Sequence, residues 1–149
     1  MFCTLLVEDS HRFRAATKEM LESNFPSMQL EEAGSGREAL AKLACLQPDL
    51  VFMDIKLPDG NGVRLTRNVK SACSSATVVI LSSYDMPEYR QAAFRAGADC
   101  FISKDSPTCM DDILARVRQV HPTSEYLYSS QIRLAVFTRD VLREPRVAA

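Results

Sequence analysis

The stretch DLVFMDIKLPDGNG, residues 49–62, combines a short apolar run, one acid and a turn. Residues 50–53 are continuously apolar, which is typical of a parallel strand buried on both faces. Asp54 ends that run, and the sequence PDGNG after it predicts a turn. Asp54 is therefore expected at the carboxyl end of a core strand, the edge at which open α/β sheets bind ligands. The acid could equally cap the turn or the next helix, and the stretch alone does not separate the two interpretations.

Strand and helix patterns alternate five times along the chain. The strand patterns cover residues 2–7, 28–33, 50–53, 77–81 and 99–103, and a helical pattern follows each of them. This alternation predicts a doubly wound α/β fold, with a parallel sheet of five strands, right-handed crossovers and five helices on its two faces. A further helical pattern falls in residues 123–149.

Local signals give more detailed expectations for the helices. Ser10 is expected to cap the first helix, and Gly97 is expected to stop the fourth. The second helix is expected to end at Pro48, and the fifth to start at Pro107. The inward face of the second helix is expected to comprise Ala39, Leu40, Leu43 and Leu46. Both histidines, His11 and His121, are expected to be solvated, because neither has a partner at ligand or catalytic spacing.

Composition excludes several classes of protein. The chain has 149 residues, of which 46% are hydrophobic, and its formal net charge is -1, so no basic field indicates direct nucleic-acid binding. Its five cysteines form no C-x-x-C pair, which argues against a disulfide framework or a zinc site and favours a reducing, cytoplasmic location. An apolar run of about 20 residues, which a membrane span needs, does not occur in the sequence.

Polar side chains follow four of the five predicted strands. Glu8 and Asp9 follow the first strand, Asp54 the third, Ser82 the fourth and Lys104 the fifth. Parallel strands place their carboxyl ends on one edge, so these side chains are expected to converge. Neighbouring carboxylates repel one another unless a cation lies between them, and Mg²⁺ is the natural hard cation for oxygen ligands. A carboxylate beside Mg²⁺ and lysine is a credible nucleophile toward a phosphoryl group.

With these residues the chain resembles the receiver domain of two-component response regulators. The matching positions are Glu8-Asp9, Asp54 with the downstream Leu57-Pro58-Asp59-Gly60 and Gly62, Ser82, and Lys104. The resemblance covers about residues 2–121. It implies a flavodoxin-like sheet with strand order 2-1-3-4-5, a receiver domain at residues 1–121, and a C-terminal helical extension or linker at residues 122–149.

The resemblance also implies roles for individual residues. Asp54 would accept a phosphoryl group from a sensor histidine kinase or a small phosphodonor. Mg²⁺ would be held by Asp9 or Glu8, by Asp54, and by the backbone carbonyl of Lys56. Lys104 would bind the phosphoryl group.

Two further positions would act in switching. Ser82 would move inward to hydrogen-bond the phosphoryl group, although Ser83 could be the functional hydroxyl instead. Phe101 matches the aromatic switch position, although an aromatic side chain in a strand can also be plain core.

Lys56 and Tyr84 lie two residues after Asp54 and Ser82, at positions that, in this family, flank the path of the hydrolytic water. A long cation and a bulky phenol there predict hindered water access and slow autodephosphorylation. Asp105 follows Lys104 where proline is common, so no cis peptide is expected at that bond.

The resemblance implies a phosphorylation switch rather than a turnover enzyme. Its partners would be a histidine kinase and an output domain or target protein, with a homodimer possible through the tail. Two other functions are alternatives to this switch. A pseudo-receiver could dock partners without phosphorylation, although all the matching side chains are present. A Mg²⁺-dependent phosphatase of the haloacid dehalogenase type would need a second acid where Lys56 stands.

Overall fold

The computed structural model describes residues 1–121, and the interpretation of residues 122–149 as a helical extension lies outside this range. Within it, strands and helices alternate as predicted. The strands are β1 Cys3–Val7, β2 Gln29–Ala33, β3 Leu50–Asp54, β4 Lys56–Leu57, β5 Gly60–Asn61, β6 Thr77–Ser82 and β7 Cys100–Ser103. The helices are α1 His11–Asn24, α2 Gly36–Leu43, α3 Gly62–Ala72, α4 Pro87–Arg95 and α5 Cys109–Val120.

The main sheet has five parallel strands in the order β2-β1-β3-β6-β7. The short strands β4 and β5 form a separate antiparallel hairpin, so β6 and β7 are the fourth and fifth strands of the main sheet. The order of the main sheet is therefore the predicted flavodoxin-like order 2-1-3-4-5. The central strand β3 lies between β1 and β6, where Val51 is in register with Leu5 on one side and Val78 on the other. The sheet therefore brings the carboxyl ends of β1, β3, β6 and β7 to one edge.

Both faces of the sheet are buried, which explains the continuously apolar strands. Alternate residues of β3 enter different cores: Val51 and Met53 pack in one, while Leu50 and Phe52 pack in the other. The first core is covered by α2, α3 and α4, and the second by α1 and α5. Burial of each aliphatic side chain stabilises the fold by roughly 1.5–3 kcal/mol. The strands that end at the polar edge are therefore held by two apolar cores.

Two helix boundaries differ from the sequence expectations. Helix α2 ends at Leu43 rather than at Pro48. Of the four residues predicted for its inward face, only Ala39 and Leu43 are buried. Leu40 lies one residue around the helix from Ala39 and is 46% exposed, so its assignment to the inward face was wrong. Helix α5 begins at Cys109, not at Pro107.

His121 also departs from expectation, because it is buried rather than solvated. Its ring lies 4.7 Å from the ring centre of Phe2 and 5.7 Å from that of Phe25. The end of α5 folds back against the start of the chain and the end of α1, and this contact cannot be seen in local sequence. His11 is exposed, as expected.

The expected helix caps are present. Ser10 Oγ accepts a hydrogen bond from the Phe13 N–H at 3.3 Å, and Gly97 takes a positive φ of 107° after α4. No cis peptide bond occurs in residues 1–121, in keeping with the Lys104-Asp105 sequence. Among these residues, no helix is both long and apolar enough to cross a membrane.

Candidate functional site

Asp54 is the last residue of β3, and its carboxylate is buried at the carboxyl edge of the sheet, with 5% of the residue exposed. The chain after it returns through the β4–β5 hairpin, and the Gly62 N–H donates to the Ile55 carbonyl at 2.8 Å. A Cβ atom at Gly62 would lie 1.9 Å from the Asp54 carbonyl oxygen, so only glycine allows this close return. The start of α3, directly after the hairpin, therefore lies against the Asp54 backbone.

The acidic corner after β1 presents two carboxylates in different environments. Glu8 is fully buried, its backbone N–H donates to the Ala33 carbonyl at 2.9 Å, and its Oε1 accepts from the Ser10 N–H at 3.0 Å. Asp9 is exposed. One oxygen of each of Glu8, Asp9 and Asp54 lies within 4.8 Å of the others, so the corner and the strand end form one acidic cluster.

Lys104 completes this cluster from the end of β7. Its backbone N–H donates to the Ser82 carbonyl at 2.9 Å, which fixes the segment beside β6. Its Nζ donates to Asp54 Oδ2 at 3.0 Å and forms an ion pair with Glu8 Oε2. The same ammonium lies 4.8 Å from the ring centre of Phe13 on α1, within the range of a cation–π contact. One half-buried cation thus bridges two buried acids.

These contacts shift the ionisation of the cluster. The pKa of Asp54 is raised to about 7: burial is the main cause, the negative charge of Glu8 adds to it, and Lys104 offsets only part of both effects. Burial alone would lower the pKa of Lys104, but its hydrogen bonds and charge interactions with Glu8 and Asp54 outweigh burial and raise it. A further cation would therefore favour the ionised form of Asp54.

The donor set fits a magnesium ion. Three carboxylates offer hard oxygen ligands within 4.8 Å of one another, and one lysine does not balance their charge. Glu8 Oε2 is buried, and its contact within residues 1–121 is the ion pair with Lys104.

Ser82 ends β6 at the same edge, and its hydroxyl is fully buried. Ser82 Oγ accepts a hydrogen bond from the Tyr84 N–H at 3.0 Å, and within residues 1–121 it makes none to Asp54. The Tyr84 ring is 37% exposed and lies 4.3 Å from Lys56 Nζ. The two bulky side chains expected to flank the water path therefore contact each other.

Phe101 lies in β7, beside Ile80 of β6, and is 8% exposed. The Arg90 guanidinium covers its ring, with the guanidinium carbon 4.5 Å from the ring centre. Asp85 holds Arg90 through two contacts, and the one between its Oδ2 and Arg90 Nη2 measures 3.1 Å. Phe101 is thus a core residue whose ring is covered by the Arg90 guanidinium.

The structure brings Glu8, Asp9, Asp54 and Lys104 together as predicted, with Ser82 at their edge. Sequence reasoning missed the contact of Lys56 with Tyr84. It also missed the cover formed by Asp85 and Arg90 over Phe101, and the contact of Phe13 with Lys104. These contacts join different elements, so no spacing in the sequence indicates them.

A five-stranded parallel sheet with an acidic cluster and a lysine at its carboxyl edge defines a class of signalling proteins, the CheY-like receivers. The family model described as the response regulator receiver domain matches residues 4–118 of this chain. This chain belongs to that family, which acts in two-component signalling.

Curated relatives and solved structures agree with this membership. The chain is 36% identical over 111 residues to the chemotaxis protein CheY of Halobacterium salinarum, covering 73% of this chain and 91% of that protein. It is 34% identical over 105 residues to the DNA-binding transcriptional activator DevR/DosR of Mycobacterium tuberculosis, covering 70% of this chain but only 48% of that protein.

Among solved structures, the CheY-like receiver domain protein of Methanospirillum hungatei superposes with a TM-score of 0.73 at 27% identity, covering 80% of this chain and 92% of that one. The response regulator domain of Thermotoga maritima CheB superposes with a TM-score of 0.70 at 28% identity, covering 80% and 96%.

Proposed function

We propose that this receiver accepts a phosphoryl group on Asp54 in a Mg²⁺-dependent reaction and switches conformation to control an output domain or a partner protein. The observation that carries the proposal is the buried Asp54 carboxylate, which lies 3.0 Å from Lys104 Nζ within a cluster of three acids. The donor would be the phosphohistidine of a sensor kinase or a small phosphodonor. Only self-phosphorylation and loss of the phosphoryl group are proposed, so the chain is a switch rather than a turnover enzyme.

Asp9, Asp54 and the Lys56 backbone carbonyl are the proposed magnesium ligands. Glu8 is buried and already paired with Lys104, whereas Asp9 is exposed, which favours Asp9 as the ligand from the acidic corner. Glu8 would then contribute mainly its charge. A bound Mg²⁺ supplies charge neutralisation at the transferred phosphoryl oxygens.

In the proposed reaction an Asp54 oxygen attacks phosphorus in line with the leaving group. The new bond joins that oxygen to phosphorus, and the bond from phosphorus to the donor breaks, with its electron pair leaving on the donor. Lys104 Nζ stabilises negative charge on the phosphoryl oxygens from its present position beside Asp54. Ser82 Oγ accepts from the Tyr84 N–H, and we propose that the loop after β6 moves with this hydroxyl when it turns inward to donate to the phosphoryl group.

Such a movement gives Phe101 its proposed role. Asp85 lies in the same loop, three residues after Ser82, and holds the Arg90 guanidinium over the Phe101 ring. A shift of the loop therefore acts on the cover of Phe101. This connection supports a switching role for Phe101 in addition to its place in the core.

The contact between Lys56 and Tyr84 supports slow autodephosphorylation. Lys56 follows Asp54 by two residues and Tyr84 follows Ser82 by two, so each belongs to one of the segments that end at the site. Their contact at 4.3 Å joins these two segments. We propose that they act together to exclude the hydrolytic water.

The proposed partners are a sensor histidine kinase and an output domain or target protein, with a homodimer possible. The curated name of the Mycobacterium tuberculosis relative includes DNA binding, but the chain spans about half of that protein. Direct nucleic-acid binding by this chain is not proposed, and the cytoplasmic location stays a prediction. A pseudo-receiver and a phosphatase remain the alternative functions, and the charged cluster around Asp54 favours neither.

Incubation with acetyl phosphate and Mg²⁺, followed by intact mass measurement, tests the proposal. The wild-type chain is expected to gain one phosphoryl group, and Asp54→Ala to gain none. An unmodified wild type would favour the pseudo-receiver, and sustained release of inorganic phosphate with many turnovers would favour the phosphatase.

A further inference from the structure

Asp59 lies at the tip of the β4–β5 hairpin and reaches a different element of the fold. Its Oδ1 accepts a hydrogen bond from the Gly36 N–H at 2.7 Å, and its Oδ2 accepts one from the Arg37 N–H at 2.9 Å. These are the first two residues of α2, more than twenty positions earlier in the chain. The hairpin after Asp54 is therefore tied to the first turn of α2.

The helix does not need Asp59 for its own cap. Ser35 is the N-cap residue of α2, and its hydroxyl accepts from the Glu38 N–H at 3.1 Å. Asp59 bonds the two N–H groups that precede the one bonded by Ser35. The backbone leaves room for this approach, because a Cβ atom at Gly36 would lie 3.2 Å from Asp59 Oδ1. The carboxylate thus links two elements rather than closing one.

The bonds to the α2 N–H groups also set the charge of Asp59. The N–H groups of Arg37 and Gly36 are the main causes that hold the pKa of this carboxyl below its ordinary value. Asp59 is therefore ionised at neutral pH and can accept both hydrogen bonds.

The hairpin that Asp59 ties down carries the Lys56 carbonyl. Lys56 pairs with Asn61, Leu57 pairs with Gly60, and Leu57 is buried in the core. At the far end, the Asn61 side chain accepts from the Val63 N–H at 2.7 Å and starts α3. Asp59 lies between these fixed points, so its bonds hold the tip of a hairpin whose base follows Asp54.

We propose that Asp59 is a positioning residue for the metal site: by tying the β4–β5 hairpin to α2, it holds the Lys56 backbone carbonyl in place for Mg²⁺. This inference rests on the proposed function. Groups that orient metal ligands typically change affinity by about 10–100-fold when removed. Because Asp59 acts through the hairpin backbone, Asp59→Ala is expected to weaken Mg²⁺ binding by a smaller factor, about 3–10-fold.

The test compares Asp59→Ala, Asp59→Asn and the matched control Asp111→Ala, which removes another exposed acid from the first turn of α5. Mg²⁺ affinity is measured from amide chemical shifts in a titration with MgCl₂, at a temperature where every variant is folded. Amide hydrogen exchange at Gly36 and Arg37 reports on the two hydrogen bonds from these N–H groups to Asp59. Asp59→Asn keeps one acceptor oxygen and is expected to recover part of both signals, while Asp111→Ala should match the wild type.

Each result has a separate meaning. Faster exchange at Gly36 and Arg37 together with weaker Mg²⁺ binding in Asp59→Ala supports the inference, provided that the changes are smaller in Asp59→Asn and absent in Asp111→Ala. Unchanged Mg²⁺ affinity in Asp59→Ala, even with lower thermal stability, would overturn it and leave Asp59 as a second cap of α2. A wild-type chain that binds no Mg²⁺ would instead overturn the proposed function, and the inference with it.

Discussion

Replacing Asp54 with asparagine is expected to stabilise the fold when Mg²⁺ is absent. Asparagine has nearly the same volume but no charge, so it removes the cost of holding an ionised acid in a buried site beside Glu8. One oxygen of each of these acids lies within 4.8 Å of the other, and at an effective dielectric constant of about 20 two unit charges at that distance repel by ~3 kcal/mol. Lys104 offsets part of this repulsion.

The pKa of Asp54 gives a second estimate of how much Asp54→Asn changes the free energy of unfolding. It is about 7, against an ordinary value of 3.8, and each pKa unit corresponds to ~1.4 kcal/mol. The upper limit is therefore ~4 kcal/mol, and we expect a gain of about 1–4 kcal/mol in the free energy of unfolding. Because folding raises this pKa, the cost is fully present above pH about 7. It shrinks as the pH falls toward 3.8, where the unfolded chain also becomes protonated.

Urea unfolding of the wild type and Asp54→Asn at pH 8 and pH 5 measures this difference, with Asp111→Asn as the control for an exposed acid. The stability gap is expected to be largest at pH 8 and to fall to about half or less at pH 5. Added Mg²⁺ should stabilise the wild type more than the variant, because a ligand that binds only the folded state raises its stability. An Asp54→Asn variant that is no more stable at pH 8, or a gap that does not change with pH, would refute the reasoning.

Two other sets of substitutions test the surroundings of Asp54. Gly62→Ala places a Cβ atom 1.9 Å from the Asp54 carbonyl and is expected to cost at least ~3 kcal/mol of unfolding free energy, whereas Gly60→Ala, with no heavy atom within 4 Å of its Cβ, should cost under ~1 kcal/mol. Thermal or urea denaturation compares them, and equal losses would contradict the close return of the chain. Lys56→Ala and Tyr84→Ala should each shorten the lifetime of the phosphorylated form, and the double variant should be no faster than the faster single one. The lifetime is followed by intact mass after removal of the phosphodonor, and fully additive effects on the logarithm of the rate would show that the two side chains act separately.

The sequence predicts the sheet well because four of its five strands are short apolar runs with a clear end, and β2, with the sequence QLEEA, is the exception. The continuous apolar run at residues 50–53 reflects burial on both faces of the sheet. Because the strands are parallel, their carboxyl ends lie at the same edge. That reasoning was enough to place Glu8, Asp54 and Lys104 at one edge. Family resemblance added strand order, which alternation alone does not determine.

The features that the sequence did not predict depend on contacts between elements. Leu40 has the spacing of an inward residue but stands exposed, because α2 stops at Leu43 and buries only a narrow face. His121 is buried by residues at the other end of the chain. Asp59 bonds α2 across the fold, and only the positions of both backbones show that its carboxylate reaches two N–H groups.

Chemical trapping of the phosphorylated residue tests the central claim most directly. After incubation with acetyl phosphate and Mg²⁺, borohydride reduces an aspartyl phosphate to homoserine, and peptide mass mapping locates the change. The account predicts homoserine at position 54 alone, and none when EDTA removes the metal. Reduction at Asp9 or elsewhere, or equal labelling in the presence of EDTA, would contradict the assignment of Asp54 as the Mg²⁺-dependent phosphoacceptor.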